Sequence, residues 1–231
     1  MRYPGGKGKC FQHLINLMPV HETYIESHLG GGAVMRNKRP AQRSIGIELD
    51  REVLALWDDV SVHGMELVNQ DAIAFLKIFS FSGGELVYSD PPYLPETRRR
   101  SRIYRCEYTA DDHVELLETL RSLPCNVMIS GYDSPLYRDM LRGWRHVTFQ
   151  TKSHVGLREE SVWLNFPAPE ALHDARFVGA SFRERQYVQR RQATLRRRMH
   201  AMSPIERSDF IHWLNETFLG PRKESLCNAR A

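Results

Sequence analysis

Apolar residues along the chain switch repeatedly between two rhythms. Short runs rich in β-branched and aromatic residues, at 23–28, 44–48, 66–70, 85–89 and 126–130, alternate with stretches of helical spacing at 33–37, 51–58, 72–79, 111–121 and 135–141. In the fourth helical stretch Val114, Leu116, Leu117 and Leu120 recur as one face of a helix would require. Two further runs, 146–150 and 161–166, read as a closing antiparallel pair. Seven strands, the first five separated by helices, predict an α/β domain around a mostly parallel sheet.

The pattern changes after Pro167-Ala168-Pro169. Residues 1–168 read as the sheet domain and 169–231 as a basic helical tail. Within the tail, Ser203-Pro204-Ile205-Glu206 is a helix start with a serine cap, a proline in the first turn and a glutamate closing the capping box. Phe210, Ile211, Leu214 and Phe218 then share one face until Gly220-Pro221. This amphipathic helix, 204–219, can either pack on the sheet domain or pair with a second copy of the chain as a homodimer.

Composition narrows the class. Of 231 residues, 42% are hydrophobic and 26% charged, which excludes disorder and collagen-like repeats. No run approaches the roughly 18 apolar residues of a membrane helix, so no membrane partner is expected. Cys10, Cys106, Cys125 and Cys227 are far apart, and the first residues lack an apolar signal core. Both features point to reduced thiols in a cytoplasm and to no metal site.

Charge is more telling than its net of +4. The segment 176–198 alone carries +7, including Arg190, Arg191 and Arg197, against the single acid Glu184. Arg98, Arg99, Arg100, Arg102 and Arg105 form a second cluster without an acid. Arginine is used almost to the exclusion of lysine in both, which favours fork-shaped phosphate contacts and hence a nucleic-acid backbone as partner. A solvated helix face is the bland alternative for the tail.

Ligands of open α/β sheets bind beyond the carboxyl ends of the strands. The first strand ends in Glu26-Ser27-His28-Leu29-Gly30-Gly31-Gly32, the second in Glu48-Leu49-Asp50 and the third in Asn69-Gln70-Asp71. A glycine turn followed by acids at the next two strand ends suits a nucleoside-containing cofactor, with an acid for the ribose hydroxyls. No basic residue in these turns is placed for a pyrophosphate. A P-loop at the N-terminus fails, because Tyr3 occupies its first glycine position and Cys10 follows the lysine. The fourth strand ends in Asp90-Pro91-Pro92-Tyr93. Its prolines let the Asp90 carboxylate and the Pro91 carbonyl face one site as two acceptors, which suits an exocyclic amino group with two N–H donors. Tyr93 offers an aromatic face on which a base can stack.

Residues 2–166 resemble the Dam-like group of DNA adenine-N6 methyltransferases. The resemblance rests on Arg2-Tyr3-Pro4-Gly5-Gly6-Lys7, on the turn Glu26 to Gly32, and on Asp90-Pro91-Pro92-Tyr93, with Tyr108-Thr109-Ala110-Asp111-Asp112-His113 and Ser130-Gly131-Tyr132 downstream. It implies a Rossmann-like seven-stranded methyltransferase sheet, S-adenosylmethionine as cofactor and DNA adenine as substrate, flipped out of the duplex to react. It also implies that Tyr3, Lys7, Gly30 and Gly32 lie near the methionine part of the cofactor, Glu48 at the ribose and Asp71 at the adenine amine. Asp90, Pro91, Pro92 and Tyr93 would form the catalytic motif. His28 departs from the phenylalanine usual in the group. Asp71 and Asp90 are only nineteen positions apart, so the target-recognition insert normally found there is missing. Low sequence specificity is the expectation, with the arginine clusters gripping DNA. Methylation of RNA adenine or of another amine or amide, and a silent DNA-binding relative, are the alternatives.

Overall fold

The computed structural model describes residues 6–58, 60, 62–94, 96, 105–153 and 156–219. The chain forms two compact units, Met1–Phe177 and Val178–Ala231.

The first unit is the expected α/β domain. Its strands are β1 (Thr23–Glu26), β2 (Arg43–Glu48), β3 (Met65–Asn69), β4 (Glu85–Ser89), β5 (Asn126–Gly131), β6 (Arg145–Ser153) and β7 (Gly156–Leu164). They form one Rossmann-like sheet in the order β3-β2-β1-β4-β5-β7-β6. The first five run parallel, and β7 is antiparallel to both of its neighbours. Alternation along the central strands feeds two cores. Ile25, Ile45, Val87 and Ile129 face α4 (Ala72–Ile78), α5 (Ala110–Ser122) and α6 (Pro135–Met140). Tyr24, Leu86, Tyr88 and Met128 pack instead with α1 (Phe11–Ile15), α2 (Ala33–Asn37) and Trp57. A strand buried on both faces reads as a continuous apolar run, which is why these were visible in the sequence.

The differences from expectation have local causes. β1 stops at Glu26, two residues early, where the chain turns away after the Ser27 N–H bonds the Tyr88 carbonyl at 3.0 Å. The closing hairpin is longer than read, because the outer part of edge strand β6 is polar (Gln150, Thr151, Lys152) and shows no apolar alternation. Helix α1, five residues long, is too short for a period to be seen. The helix expected over 51–58 is regular only as α3 (Arg51–Ala55).

The domain also extends past residue 168. Leu172 bridges to Pro19, His173 stacks on His21 at 3.8 Å, and Asp174 accepts from the Arg39 N–H at 2.8 Å and pairs with Arg176. These ties hold residues 172–177 to the sheet unit. The second unit contains α7 (Phe182–Ala201) and α8 (Pro204–Leu214), followed by a π-helical turn, Asn215–Leu219. The Ser203–Glu206 capping box is present. No described helix is long and apolar enough to cross a membrane.

Candidate active site

In this strand order the connections diverge between β1 and β4, so a crevice opens beyond their carboxyl ends. A cleft of roughly 800 Å³, counted out to open solvent, lies there. Its walls include the 26–33 turn, the ends of β2 and β3, Lys7, Asp90, Pro92, Arg105, Cys106 and Tyr108.

The glycine turn is shaped by the fold itself. Gly30 and Gly32 have φ of 48° and 52°, a left-handed conformation that side chains disfavour. A Cβ on Gly32 would stand 2.2 Å from the Trp57 ring, and the Trp57 indole N–H donates to the Gly30 carbonyl at 2.9 Å. Glu48 ties the turn from below. One of its carboxylate oxygens accepts from the Gly30 N–H and the other from the Asp50 N–H, each at 2.9 Å, and burial pushes its pKa up. Asp71 lines the cleft as the N-cap of α4, accepting from the Ala74 N–H at 2.9 Å.

Five carboxylates line the cleft: Glu26, Glu48, Asp50, Asp71 and Asp90. The two lining cations are both paired. Arg105 meets Asp50 at 3.3 Å and also contacts Glu52. Lys7 Nζ donates to Asp90 Oδ1 at 2.6 Å and to the Tyr93 hydroxyl at 2.5 Å. Glu26 is fully enclosed. Its Oε2 accepts from the Tyr24 hydroxyl at 3.0 Å and the Met35 N–H at 2.9 Å, and burial pushes its pKa up to about 8. The lining is therefore acidic, as a cationic ligand rich in hydrogen-bond donors would need.

Asp90 sits between β4 and β5. Its Oδ1 accepts from Lys7 and, at 2.8 Å, from the Ser130 hydroxyl, while its Oδ2 has no hydrogen-bond partner among the described residues. The Asp90 side chain keeps 17% of its surface exposed, enough to meet a ligand.

Several side chains stand differently from the sequence expectation. The Tyr93 ring is 7% exposed and edge-on to Tyr132 at 4.5 Å, with its hydroxyl donating to Glu160 at 2.6 Å, so it offers no open stacking face. Lys7 lines the cleft and is also drawn to Asp90 and Tyr93. Arg105 closes a cleft wall through its acidic partners and is not a free phosphate grip. His28 does not sit loosely in place of an aromatic ring. Its Nε2 bonds the Tyr108 hydroxyl at 3.0 Å, its Nδ1 faces the Ser27 and Ser89 hydroxyls at 3.0 and 3.3 Å, and burial lowers its pKa to about 3.

Arg190, Arg191 and Arg197 are exposed on α7, which buries none of its residues, and Arg191 lies 5.8 Å over the Tyr187 ring. Tyr3, Arg98, Arg99, Arg100 and Arg102 lie outside the described residues. No group of residues that could hold a metal ion is found among the described residues. Sequence reasoning named Ser130 within a motif but gave it no role, and it missed Glu160 and the enclosed state of Glu26.

No protein-family model matches the chain, and no curated protein matches it. Among solved structures it is similar to the 23S rRNA methyltransferase ErmE, with TM-score 0.47 and 13% identity over 78% of this chain and 81% of that one. An rRNA methylase from Streptococcus thermophilus gives TM-score 0.45 and 12% identity over 71% of this chain and 97% of that one. TrmK from M. capricolum, in complex with S-adenosyl-homocysteine, gives 0.45 and 9% over 89% and 93%. At such values the functional assignment falls to the chain's own side chains.

Proposed function

We propose that the protein transfers a methyl group to a primary exocyclic amine of a nucleic-acid base. Within that class it is an adenine-N6 methyltransferase of DNA with low sequence specificity. The observation that carries the reading is Asp90, which lines the cleft: one carboxylate oxygen is held by Lys7 and Ser130, and the other accepts no hydrogen bond among the described residues.

The cleft fits S-adenosylmethionine by the chemistry of its lining. The strand-end acids Glu48, Asp50, Asp71 and Asp90 against two paired cations suit a ligand with a sulfonium, an ammonium, ribose hydroxyls and an adenine amine, and they oppose a pyrophosphate. Glu48 retains lone pairs for hydroxyl donors, Asp71 stands at the far wall for an amine, and the left-handed glycine turn leaves room for close approach. When bound, S-adenosylmethionine supplies an electrophilic methyl group.

Asp90 Oδ2 and the Pro91 carbonyl accept the two N–H bonds of the amine and draw its lone pair out of ring conjugation. Each charged hydrogen bond of this kind contributes roughly 1.5–3 kcal/mol, and alignment of the reacting atoms about 7–11 kcal/mol more. The ion pair with Lys7 fixes which of the Asp90 oxygens is offered. The arginines of α7 supply the sequence-independent hold on phosphates. Aspartate in the motif and the Gly5-Gly6-Lys7 segment favour DNA adenine, by resemblance to the Dam-like group.

The test is transfer of labelled methyl from S-adenosylmethionine to unmethylated duplex DNA, single-stranded DNA and RNA, followed by nucleoside analysis and mapping. N6-methyladenine in DNA at many sequence contexts is expected. Label in RNA adenine alone would keep the amine chemistry and overturn the DNA assignment. Label confined to one motif of several fixed bases would overturn low specificity, and no label in any nucleic acid would overturn the reading.

A further inference from the structure

Glu160 lies outside every strand-end motif, yet it is built into the site. Strand β7 pairs antiparallel with β5 through Gly131↔Ser161 and Ser130↔Val162. This register brings Glu160 to the cleft end of β5, next to the strand that supplies Ser130. Its side chain is 11% exposed, and its carboxylate accepts from the Tyr93 hydroxyl at 2.6 Å and stands 3.9 Å from Lys7 Nζ. The Tyr93 hydroxyl therefore accepts from Lys7 and donates to Glu160, and Lys7 stands between two carboxylates.

Buried acids are costly unless held by hydrogen bonds or ion pairs, and here Asp90 and Glu160 are both tied to Lys7, Glu160 also through the Tyr93 hydroxyl. The second acid anchors Lys7 from the β7 side and clamps the Tyr93 hydroxyl. Together these fix both ends of the Asp90-Pro91-Pro92-Tyr93 segment. We propose that Glu160 is a positioning residue: through Tyr93 and Lys7 it sets the orientation in which Asp90 presents Oδ2 to the substrate amine. This rests on the amine-methyltransferase reading given above.

Burial alone would lower the Lys7 pKa, but the charges of Asp90 and Glu160 outweigh it and carry it above the ordinary lysine range. Removing the Glu160 charge therefore moves Lys7 back down. Glu160→Gln, in the full chain, removes the charge and keeps an oxygen that can accept from Tyr93. Tyr93→Phe keeps the ring and removes the hydroxyl link.

The first measurement uses ¹³Cε-labelled lysine to follow the Lys7 resonance by NMR at neutral pH in the protein without substrate, with the resonance assigned from Lys7→Arg. In Glu160→Gln and in Tyr93→Phe the Lys7 resonance moves from its wild-type position. The second is steady-state methyl transfer. Both variants lose about 10- to 100-fold in kcat with KM for S-adenosylmethionine little changed, the size of one charged hydrogen bond at the reacting group. Glu160→Asp, which keeps the carboxylate, recovers part of the loss. An unmoved Lys7 resonance overturns the proposal, as does wild-type kcat in either variant. So does a loss carried by KM with kcat unchanged, the mark of a purely structural role. Because the NMR measurement needs no turnover, it tests the Lys7–Glu160 coupling even if the wild type methylates nothing, a result that would overturn only the parent reading.

Discussion

Lys7 and Asp90 lie 83 positions apart in the chain and 2.6 Å apart in the fold, with Ser130 completing the hold on the same carboxylate oxygen. Three segments that share no local structure thus converge on one atom, Asp90 Oδ1. The result is asymmetry: Oδ1 accepts two hydrogen bonds, and Oδ2 accepts none among the described residues.

That asymmetry makes Asp90 the most sensitive position for chemistry. Asp90→Ala should abolish methyl transfer, with a fall on the order of 10³-fold or more from lost hydrogen bonding and alignment together. Binding of S-adenosyl-homocysteine, followed by calorimetry, should change little. Asp90→Asn keeps a carbonyl acceptor and should retain a measurable fraction of the rate. Wild-type turnover in Asp90→Ala would exclude the mechanism.

His28→Phe restores the residue usual in the Dam-like group, yet it should harm this protein. The ring nitrogens of His28 serve the Tyr108, Ser27 and Ser89 hydroxyls, and each buried group left unsatisfied costs about 1–3 kcal/mol. A lower urea midpoint at unchanged slope is the expected result, and an equal or higher midpoint would show that the histidine is dispensable.

The pKa of His28 also sets an acid limb of stability. Burial holds it at about 3 in the folded chain against an ordinary 6.5, so the unfolded chain binds the extra proton first as pH falls. Its contribution is present above pH 6.5 and is lost progressively toward pH 3. His21, lowered to about 3 chiefly by burial, adds to the same limb. Glu26 acts with the opposite sign. Its pKa is raised from 4.5 to about 8, so its contribution is present below pH 4.5 and is lost as pH rises through 8. Glu26→Gln should therefore remove the fall in unfolding free energy that Glu26 contributes between pH 4.5 and 8. An unchanged slope across that window would show that Glu26 is ionised in the folded protein.

The tail prediction concerns salt. If Arg190, Arg191 and Arg197 each neutralise a phosphate, replacing all three by alanine should weaken duplex binding. The slope of log affinity against log salt should become shallower by about 2.7 for three lost contacts. Titrations at several salt concentrations measure this, and a slope equal to that of the wild type would return α7 to a solvated helix face.

Much of this architecture was legible before any coordinates. The buried strands β1, β2, β4 and β5 announce themselves as apolar runs, and Asp90-Pro91-Pro92-Tyr93 marks its own strand end because proline cannot continue a strand. The Ser203 capping box is a local hydrogen-bonding pattern and appeared where it was read. Edge strand β6 and the five-residue α1 were obscure because neither has enough buried positions to set up a period.

The site residues divide along the same line. The acids and glycines at the ends of parallel strands could be found by position, because every parallel strand delivers its carboxyl end to the same edge of the sheet. Glu160 could not, because an antiparallel strand delivers its earlier residues to that edge, and only the β5–β7 register says which one. The pairing of Lys7, the enclosure of Tyr93 and the closure of Arg105 onto Asp50 likewise depend on segments brought together by packing. Local periodicity and backbone constraints determined the elements and the motif at the end of β4. Long-range contacts decided which oxygen of that motif is held and which charges hold it, since hydrogen bonds and ion pairs act through space between atoms that sequence distance does not relate.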